Sequence, residues 1–375
     1  MQDLAFYTER LKSRDCKDAR DRVFALRGFL SESAALVIKP GYTKNVKTVY
    51  TEFAREMLRA GNVEILYHAG LWKRKPSLPA TWPNYLPSWV PDYRKETTLA
   101  IMETKFGSYL RHDPVVQPEF DVSLQPFQLG TKATLIDIVT FVHHTYHLYD
   151  TTLLNNDIAL FLKIRELGMT LYAKVCTDFQ EKHFQYPAGG NCVAALAHAL
   201  VGGGSDPQYR TTFGTRNNGT PFTPWELWEI YERQVLEPEG ELFQAMKQEA
   251  AANMVRPPGA DSRRGVSFEF YNGASVESGT AWDYVHHLAK VLRRHSIFMT
   301  DDGYIGLGPP QTMGKGSESV AFIDGANVPF VLTETKGSGG DWALVGPCYL
   351  HGVMDGDAAR RNVAFQGGRG DIRLV

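Results

Sequence analysis

The sequence has few cysteines and no long apolar segment, and each of these absences excludes a class of protein. Its four cysteines are scattered along 375 residues without the spacing of a metal site or a disulfide framework. This usage indicates a reduced, intracellular compartment, and we expect the cytoplasm. No apolar run approaches the roughly 20 residues of a membrane-spanning helix, and the N-terminus lacks the basic and apolar regions of a signal peptide.

The sequence also lacks an excess of either charge. The formal net charge is −2, so no basic field favours nucleic acid or an anionic membrane surface as a partner. The proportions of hydrophobic and charged residues are ordinary for a soluble globular protein. A chain of this length can form two or three domains, and we expect its partners to be other proteins.

No complete nucleotide-binding motif is present. The segment Gly314-Lys315-Gly316 resembles part of a phosphate loop, but five residues separate Gly308 from Gly314 where that loop has four. Gly316 also occupies the position of the Ser or Thr that would bind magnesium. Gly306 and Gly308 lack the third glycine of a dinucleotide fingerprint, and prolines follow where a helix would begin. We therefore predict no cofactor.

Three histidines have a spacing that invites comparison with a zinc site. His143 and His147 are one helical turn apart, as in zinc metalloproteases, but position 144 is His rather than the Glu that acts as general base. The residues before His143 favour a strand. We predict exposed imidazoles at a strand end, and no metal site.

Cys192 is the candidate nucleophile. It follows Gly189-Gly190-Asn191 at a predicted helix start, where the helix dipole lowers the pKa of a thiol, and His183 or His198 could act as its base. The alanines that follow instead favour a tightly packed helix with a buried, structural cysteine. Both interpretations stay open at this stage.

Other charged groups have structural interpretations. Asp355 and Asp357 could bind a cation or act in acid–base catalysis, but carboxylates at this position more often cap or solvate a turn. We expect His351 to form a hydrogen bond within its own β module. We expect the cluster 20–22 to form ion pairs that lock the first helix to the strand layer. We assign no catalytic residue.

Short apolar runs separated by Asp and Gly dominate the stretch from Arg293 to Asp357, which is typical of brief strands joined by tight turns. The predicted strands are Ile297–Thr300, Tyr304–Leu307, Val320–Ile323, Val328–Thr333 and Trp342–Leu350. An earlier run rich in Thr, Ile and Val, over 133–142, predicts one more strand. We expect it to pair with the later strands, because a lone strand leaves its backbone groups unpaired.

Helical spacing and capping signals occur on both sides of that early strand. The predicted helices are Ala19–Arg27 capped by Asp18, a helix from Val46 to Leu58, one from Asn62 to Gly70, Cys192–Val201, one opened by Thr223 and running through Val235, and Trp282–Arg294. Residues 151–254 favour helices generally, and residues 256–279 favour a loop.

The C-terminal stretch resembles a signature of fungal heterokaryon-incompatibility (HET) proteins. That signature reads F-x-T-x-x-G-Y-x-G-L-G-P, then G-D-x-V-x-x-L-x-G-x-x-x-P-x-V-L-R, then V-G-x-x-Y-V-H-G-x-M-D-G-E. The matching residues taken as motif positions are Thr300, Gly303, Tyr304, Gly306, Gly308, Pro329, Gly346, Tyr349, His351, Gly352, Met354, Asp355 and Gly356. Ser317-Glu318, Thr333 and Asp357 depart from the signature without changing its spacing.

A second set of matches lies near the N-terminus. Residues Asp18–Phe29, Pro40–Arg55 and Leu86–Tyr93 resemble the segments D-P-R-D-x-V-x-A-L-L-G-L, P-D-Y-S-K-S-x-x-x-V-Y-x-x-F-A-R and L-P-S-W-V-P-D-W of the same family. The motif positions here are Arg20, Asp21, Tyr42, Tyr50, Pro87, Trp89, Pro91 and Asp92. Ala19 and Gly41 replace an expected Pro and Asp.

The resemblance implies a role in fungal non-self recognition and programmed cell death. Two upstream segments of the HET domain, L-S-Y-x-W-G and D-x-x-C-I-x-Q, do not occur here, and that TIR-like region is the one to which effector activity is attributed. We therefore expect a truncated chain, from a shortened gene model or a genuine short form. We expect it to be a non-catalytic regulatory or interaction portion. The enzymatic alternatives are a NAD-consuming effector, which needs the missing part, and a thiol hydrolase using Cys192.

These patterns together predict an α+β fold. A mainly helical body carries a small, mostly antiparallel C-terminal β module joined by the early strand. The predicted divisions are a HET-domain remnant over 1–125, a helical region with the early strand over 126–295, the β module over 296–357 and a tail over 358–375.

Overall fold

The computed structural model describes segments throughout the chain from residue 16 to residue 375, with gaps between them. The described residues are 16–29, 40–71, 85–94, 119–121, 127–144, 157–181, 185–202, 220, 222–255, 275–309, 313–314, 316–335, 340–354 and 368–375. The α-helices within them are α1 Asp21–Phe24, α2 Val46–Arg59, α3 Asp157–Glu181, α4 Cys192–Leu200, α5 Pro224–Tyr231, α6 Glu241–Val255 and α7 Val276–Arg294. The strands are β1 Phe120–Asp121, β2 Leu129–His143, β3 Ser296–Thr300, β4 Ile305–Gly308, β5 Glu318–Ile323, β6 Phe330–Glu334, β7 Asp341–Pro347, β8 Tyr349–Leu350 and β9 Arg369–Leu374.

Local capping decides where several helices begin. Asn45 accepts a hydrogen bond from the Thr48 backbone N–H at the start of α2, and Asn191 accepts one from Val193 at the start of α4. At α5, Thr223 and Glu226 form a reciprocal capping box, with Pro224 in the first turn. These three starts confirm the sequence predictions.

The helices α3, α4, α5 and α7 pack on one another around buried aromatic rings. The ring of Phe161 on α3 stacks on that of Trp282 on α7, and Tyr231 on α5 contacts Tyr284 at an edge. The Tyr231 hydroxyl also donates to the Ile164 carbonyl of α3 over 3.0 Å. Helix α5 continues as one π-helical turn, Glu232–Leu236. The predicted helical body is therefore present.

Strand β2 is long and belongs to two sheets. Its first part pairs with β9 on one side and with β5 on the other, and its last part, Val139–His143, pairs with β3. Strands β2, β3, β4 and β8 form the second sheet, and helix α4 packs against β4. The predicted pairing of the early strand with the C-terminal strands is confirmed, over a longer range than 133–142.

The strands β2, β5, β6, β7 and β9 close into a ring, since β2 pairs with both β5 and β9. A closed ring of five strands cannot be antiparallel throughout, because directions cannot alternate around an odd number. The single parallel pairing in this ring joins β7 to β9, through Asp341 with Arg373 and Trp342 with Leu374. We call this pairing the parallel joint. The α+β fold class is confirmed.

Several predicted boundaries are wrong. The first helix is not Ala19–Arg27; it is α1 followed by a 3₁₀ helix, Ala25–Phe29. The third is a 3₁₀ helix, Val63–His68, whose Asn62 side chain makes no capping bond. Helix α7 begins at Val276, within the predicted loop, because Ser275 caps it. The rest of that loop lies outside the described residues.

The predicted tail over 358–375 contains a strand. Residues Arg369–Leu374 form β9, which pairs with six residues of β2. Only Ile372 and Leu374 alternate as apolar residues in a run of charge and glycine, so the pattern of a half-buried strand is weak there. The domain division proposed from the sequence stays a prediction.

Candidate functional site

Motif residues near the N-terminus hold the turn before helix α2. The guanidinium of Arg20 donates to the carbonyls of Tyr42 and Lys44 over 2.8 and 2.7 Å, and it forms an ion pair with Asp18 at 2.6 Å. The Tyr42 hydroxyl donates to Asp21 over 2.7 Å. This pairing lowers the pKa of Asp18 to about 2, because Arg20 stabilises the carboxylate. The predicted ion pair forms, with Asp18 as the partner of Arg20, but the contacts of Arg20 and Asp21 fix one helical segment to the next rather than to the strand layer.

The segment 85–94 joins helix α2 to the ring. Tyr50 and Phe53 of α2 contact the Tyr93 ring at edges, and the Trp89 indole N–H donates to the Phe127 carbonyl over 3.3 Å. Pro87 and Pro91 are buried. Asp92 binds the Arg94 guanidinium at 2.8 Å.

Ser88 is a structural residue within this segment that the sequence interpretation did not single out. Its hydroxyl donates to the Val375 carbonyl and accepts from the Leu344 backbone N–H over 2.9 Å. Its own backbone N–H also donates to Val375, over 2.8 Å. Ser88 therefore bonds the N-terminal motif to both sides of the parallel joint. The only sequence signal for this role of Ser88 was its position inside the motif L-P-S-W-V-P-D-Y.

Tyr186 connects the helices to the second sheet. Its hydroxyl donates to the His351 carbonyl over 3.0 Å and accepts from the Ile305 backbone N–H over 3.1 Å. Its ring contacts the rings of Tyr304 and His351. Two of the predicted motif residues, Tyr304 and His351, thus meet at a tyrosine that no sequence motif indicated.

The imidazole of His351 lies against His198 of helix α4, with ring centroids 4.9 Å apart. Its Nδ1 is 3.1 Å from the Tyr349 hydroxyl, so the predicted hydrogen bond within the β module is confirmed. Burial, with a smaller effect from His198, lowers the pKa of His351 to about 4. The imidazole is therefore neutral at physiological pH. We call Tyr186, His198, Tyr304, Tyr349 and His351 the ring cluster.

Two motif glycines allow close approach of neighbouring groups. A Cβ on Gly306 would lie 2.4 Å from the Phe298 ring and 2.5 Å from the Tyr349 carbonyl oxygen. Gly352 has a φ of +77°, and a Cβ there would lie 2.2 Å from the Cβ of Ala188. Only glycine fits at Gly352 without a shift of the segment that carries Tyr186.

Most of the remaining C-terminal motif residues shape turns and strand ends. Thr300 accepts from the Tyr304 backbone N–H over 3.1 Å and closes the first hairpin at Gly303. The Pro329 carbonyl accepts from the Cys348 N–H, Gly346 pairs with Val331, Gly308 packs on Met313, and Met354 is buried. The motif residues Asp355 and Gly356 lie outside the described residues, as does Asp357.

The Cys192 thiol does not have the environment of a nucleophile. It begins α4 as predicted, yet burial raises its pKa, and Cys176 raises it further. His198 stacks on His351, and the structure describes no hydrogen bond from Cys192 to a histidine. His183 lies outside the described residues. The thiol is therefore protonated at neutral pH.

The histidines at the end of β2 are half-buried, so the prediction of exposed imidazoles is wrong. The Nδ1 of His144 is 3.3 Å from the Ser296 hydroxyl. His147 lies outside the described residues. Among the residues with described positions, no group of three metal-ligating side chains could hold an ion.

A groove of about 470 Å³ crosses the outer face of the ring beside the parallel joint. The residues that line it are Glu119, Asp121, Gly130, Thr131, Lys132, Gly340, Asp371, Ile372 and Arg373. Lys132 binds Glu119 at 2.6 Å, and Arg373 binds Asp341. None of the groove residues was a predicted site residue.

The fold and these contacts define an α+β protein in which motif residues connect helical segments to one another and to the strands. Residues 231–365 match the family described as the Het-6 beta-barrel domain, a HET-associated family from fungal heterokaryon-incompatibility proteins. Over these residues the chain is therefore similar to these proteins, and the C-terminal resemblance stated from the sequence is confirmed. The matched residues include β3 to β8 but neither β2 nor β9. Searches among curated proteins and among solved structures gave no match.

Proposed function

We propose that this chain is a non-catalytic regulatory or interaction portion of a HET-related protein that acts in fungal non-self recognition and programmed cell death. The observation that carries the proposal is the use of the motif residues. Arg20, Ser88, Tyr304 and His351 bind neighbouring segments of the same chain, as a framework does. The family match supplies the biological setting.

We propose that the partners are proteins and that the chain acts in the cytoplasm. The small net charge supports a protein partner over nucleic acid. None of the described helices is long and apolar enough to cross a membrane. A fluorescent fusion expressed in fungal hyphae tests the location, and uptake of a vital dye by the same hyphae reports cell death.

A thiol hydrolase is the competing class, and the raised pKa of Cys192 opposes it. The test is incubation of the purified chain with NAD and with generic thioester and peptide substrates. We expect no turnover by the wild-type chain, and no difference between it and Cys192→Ala. Turnover that disappears in Cys192→Ala would defeat the non-catalytic proposal, and NAD consumption by the wild-type chain would do the same.

The matched control is Cys176→Ala, since Cys176 is also half-buried and its pKa is also raised by burial. A loss of turnover common to both variants would indicate damage to the packing of α3 on α4. A loss of turnover confined to Cys192→Ala would indicate that the Cys192 thiol takes part in the reaction.

A further inference from the structure

We propose that the solvent side of the C-terminal half of α7 is a docking site for an acidic segment of a partner protein, with one carboxylate of that segment bound by the guanidinium of Arg293. This surface is formed by His286, Lys290 and Arg293, and we call it the basic face. The inference rests on the proposed interaction function. It adds the surface of this chain that is used and the chemistry of the segment that is bound.

The three side chains of the basic face lie on one side of α7. Residues 286, 290 and 293 fall within about 60° of one another around the helix axis, because each residue of an α-helix turns the chain by about 100°. The side chains of His286 and Lys290 are exposed and that of Arg293 is half-buried, whereas Leu288 and Leu292 are buried on the opposite side. The basic face is therefore the solvent side of an amphipathic helix.

Arg293 differs from the other arginines whose side chains the structure describes. Each of the others has a hydrogen bond, an ion pair or another electrostatic partner. Arg293 has none among the described residues, and its Nε is buried without a hydrogen bond. An N–H group withdrawn from water without an acceptor is unfavourable. Bonds within the chain therefore do not explain where this guanidinium lies.

The guanidinium of Arg293 is held ready to accept an anion. Its Nε is enclosed by the fold, whereas its two terminal Nη groups are neither buried nor bonded. Two such groups can donate in parallel to both oxygens of one carboxylate. Because the side chain is already held by packing, it loses little conformational freedom when the carboxylate binds.

Capping of the helix does not account for Arg293. Cations are favourable in the last turn of a helix, and side chains there often bond its free carbonyls. In α7 this role belongs to His295, whose Nδ1 donates to the Val291 carbonyl over 2.9 Å. Neither Arg293 nor Lys290 bonds a carbonyl in the part of the chain that the structure describes. Both cations are therefore available to an external anion.

The carboxylates of α7 do not neutralise the basic face. Glu277 is bonded to Arg233 at 3.0 Å, and Asp283 has an interaction of its own. Both precede the C-terminal half of the helix. The basic face therefore carries two uncompensated positive charges, which attract an acidic segment and repel a basic one.

Nucleic acid is the other polyanion to consider, and the composition of the basic face opposes it. Two permanent charges release few counterions, and the binding of single strands also uses exposed aromatic rings on which the bases stack. The Trp282 ring, which contacts His286 at an edge, is itself buried. We therefore assign the basic face to an acidic protein segment.

The experiment uses the purified full chain and three fluorescein-labelled peptides of the order Ser-X-Ser-X-Ser-X-Ser, in which X is Glu, Gln or Lys. Alternate residues of an extended peptide face the same side. Fluorescence anisotropy measures binding. We expect the Glu peptide to bind on the order of tenfold more tightly than the Gln peptide, and the Lys peptide not to bind. Equal binding of the Glu and Gln peptides, or no binding of the Glu peptide up to millimolar concentration, would overturn the proposal.

A fluorescein-labelled thymidine oligonucleotide tests the alternative polyanion in the same assay. We expect it to bind more weakly than the Glu peptide. Tighter binding of the oligonucleotide would overturn the assignment to an acidic protein segment.

A pair of lysine variants locates the site. Lys290→Glu should weaken binding of the Glu peptide on the order of tenfold or more, whereas Lys247→Glu should leave it unchanged. Lys247 is the matched control, because it is also exposed and lies on a different helix, α6. Equal effects of the two variants would show that the net charge of the chain, rather than the basic face, attracts the peptide.

Arg293→Met keeps a long unbranched stem and removes the guanidinium. We expect it to weaken binding of the Glu peptide on the order of tenfold or more, while the chain still unfolds cooperatively in urea, because no hydrogen bond within the chain is lost. Arg293→Lys keeps the charge and should retain part of the affinity that Arg293→Met loses. Unchanged binding by Arg293→Met, or loss of its cooperative unfolding, would contradict the role of Arg293 in binding a partner.

The docking site and the proposed function can fail separately. Absence of peptide binding together with absence of turnover would remove the docking site and leave the proposed non-catalytic function in place. Turnover that requires Cys192 would defeat the proposed function, whether or not the Glu peptide binds.

Discussion

The imidazole of His351 is enclosed by rings that offer no compensation for a positive charge. The Tyr186 ring contacts the imidazole and its hydroxyl bonds the His351 carbonyl, Tyr349 bonds the imidazole Nδ1, and His198 stacks on the ring. Its pKa is therefore about 4 in the folded chain, against 6.5 for an ordinary histidine. A folded-state pKa below the unfolded one means that acid favours unfolding, since the unfolded state binds the proton first.

We expect the contribution of His351 to stability to be complete above pH 6.5 and to fall as pH decreases from 6.5 towards 4. The interval between the two pKa values corresponds to about 3 kcal/mol. Two-dimensional NMR of the imidazole gives the pKa, and urea unfolding at several pH values gives the stability. His198→Gln should raise the pKa of His351. A titration midpoint of the His351 imidazole near pH 6.5 in the wild-type chain would contradict the burial of this side chain.

The motif positions of the ring cluster could be predicted from the sequence, but their partners could not. Tyr304, Tyr349 and His351 occupy recognisable places in a signature. Tyr186 and His198 carry no local pattern, and only the packing of α4 on the second sheet brings them there. Ser88 stood in a motif, yet nothing local distinguishes its hydroxyl from that of a solvent-exposed serine.

At the scale of elements, Gly352 controls how the segment carrying Tyr186 approaches the end of β8. Gly352→Ala should destabilise the chain for two reasons, the positive φ and the 2.2 Å approach to Ala188. The expected loss in the free energy of unfolding is about 1–2 kcal/mol from the positive φ and about 1–3 kcal/mol from the contact with Ala188. Thermal or urea unfolding measures the sum.

Gly316→Ala separates these two contributions. Gly316 has a nearly identical φ of +78°, and no heavy atom lies within 4 Å of an added Cβ. We expect this variant to show the backbone cost alone. Equal losses of stability at the two positions would mean that the contact with Ala188 relaxes freely.

The connection from the N-terminal motif to the ring depends on Ser88. Ser88→Ala removes the donor to Val375 and leaves the buried Leu344 N–H without its acceptor. The expected loss is about 1–3 kcal/mol in the free energy of unfolding. Ser317→Ala, which removes an exposed hydroxyl, should change stability by less than about 0.5 kcal/mol. A change of less than about 0.5 kcal/mol for Ser88→Ala would show that the hydrogen bonds of Ser88 contribute little to the stability of the fold.

Elements with strong local signals were predicted well. Apolar spacing identified α2, an alanine-rich run after two glycines identified α4, and a capping box identified α5, while Asp-Gly turns identified the two hairpins. The failures have physical causes: α1 is too short for a full helical pattern, and β9 gains its order from β2 rather than from its own residues. The β-propensity of a segment does not predict a strand that forms only by pairing with a distant part of the chain.

The whole molecule depends on closure of the ring at Leu374, which is fully buried and pairs with both Leu129 and Trp342. Leu374→Ala should cost about 2–5 kcal/mol by leaving a cavity at the parallel joint. Urea unfolding followed by tryptophan fluorescence measures this loss. Val276→Ala, at an exposed position, is the control. Equal stability of the two variants would mean that the joint contributes nothing to the ring.

The α+β class and the pairing of the early strand with the later ones could be predicted at this scale. Ring closure could not, because it requires β2 and β9 to meet from distant parts of the chain. The family match covers the strands between them and omits both. The groove was missed for the same reason, since β1, β2, β9 and Gly340, the residue before β7, each supply part of it.

The pairing of Leu129 with Leu374 also has a kinetic consequence. During synthesis the ring has no means of closing until β9 has left the ribosome, so β2, β5, β6 and β7 wait with open edges while the chain lengthens. Contacts between such distant residues slow folding, and unpaired strands invite association with other nascent chains. The yield of correctly folded protein should therefore respond more to chaperone supply and translation speed than its final stability suggests.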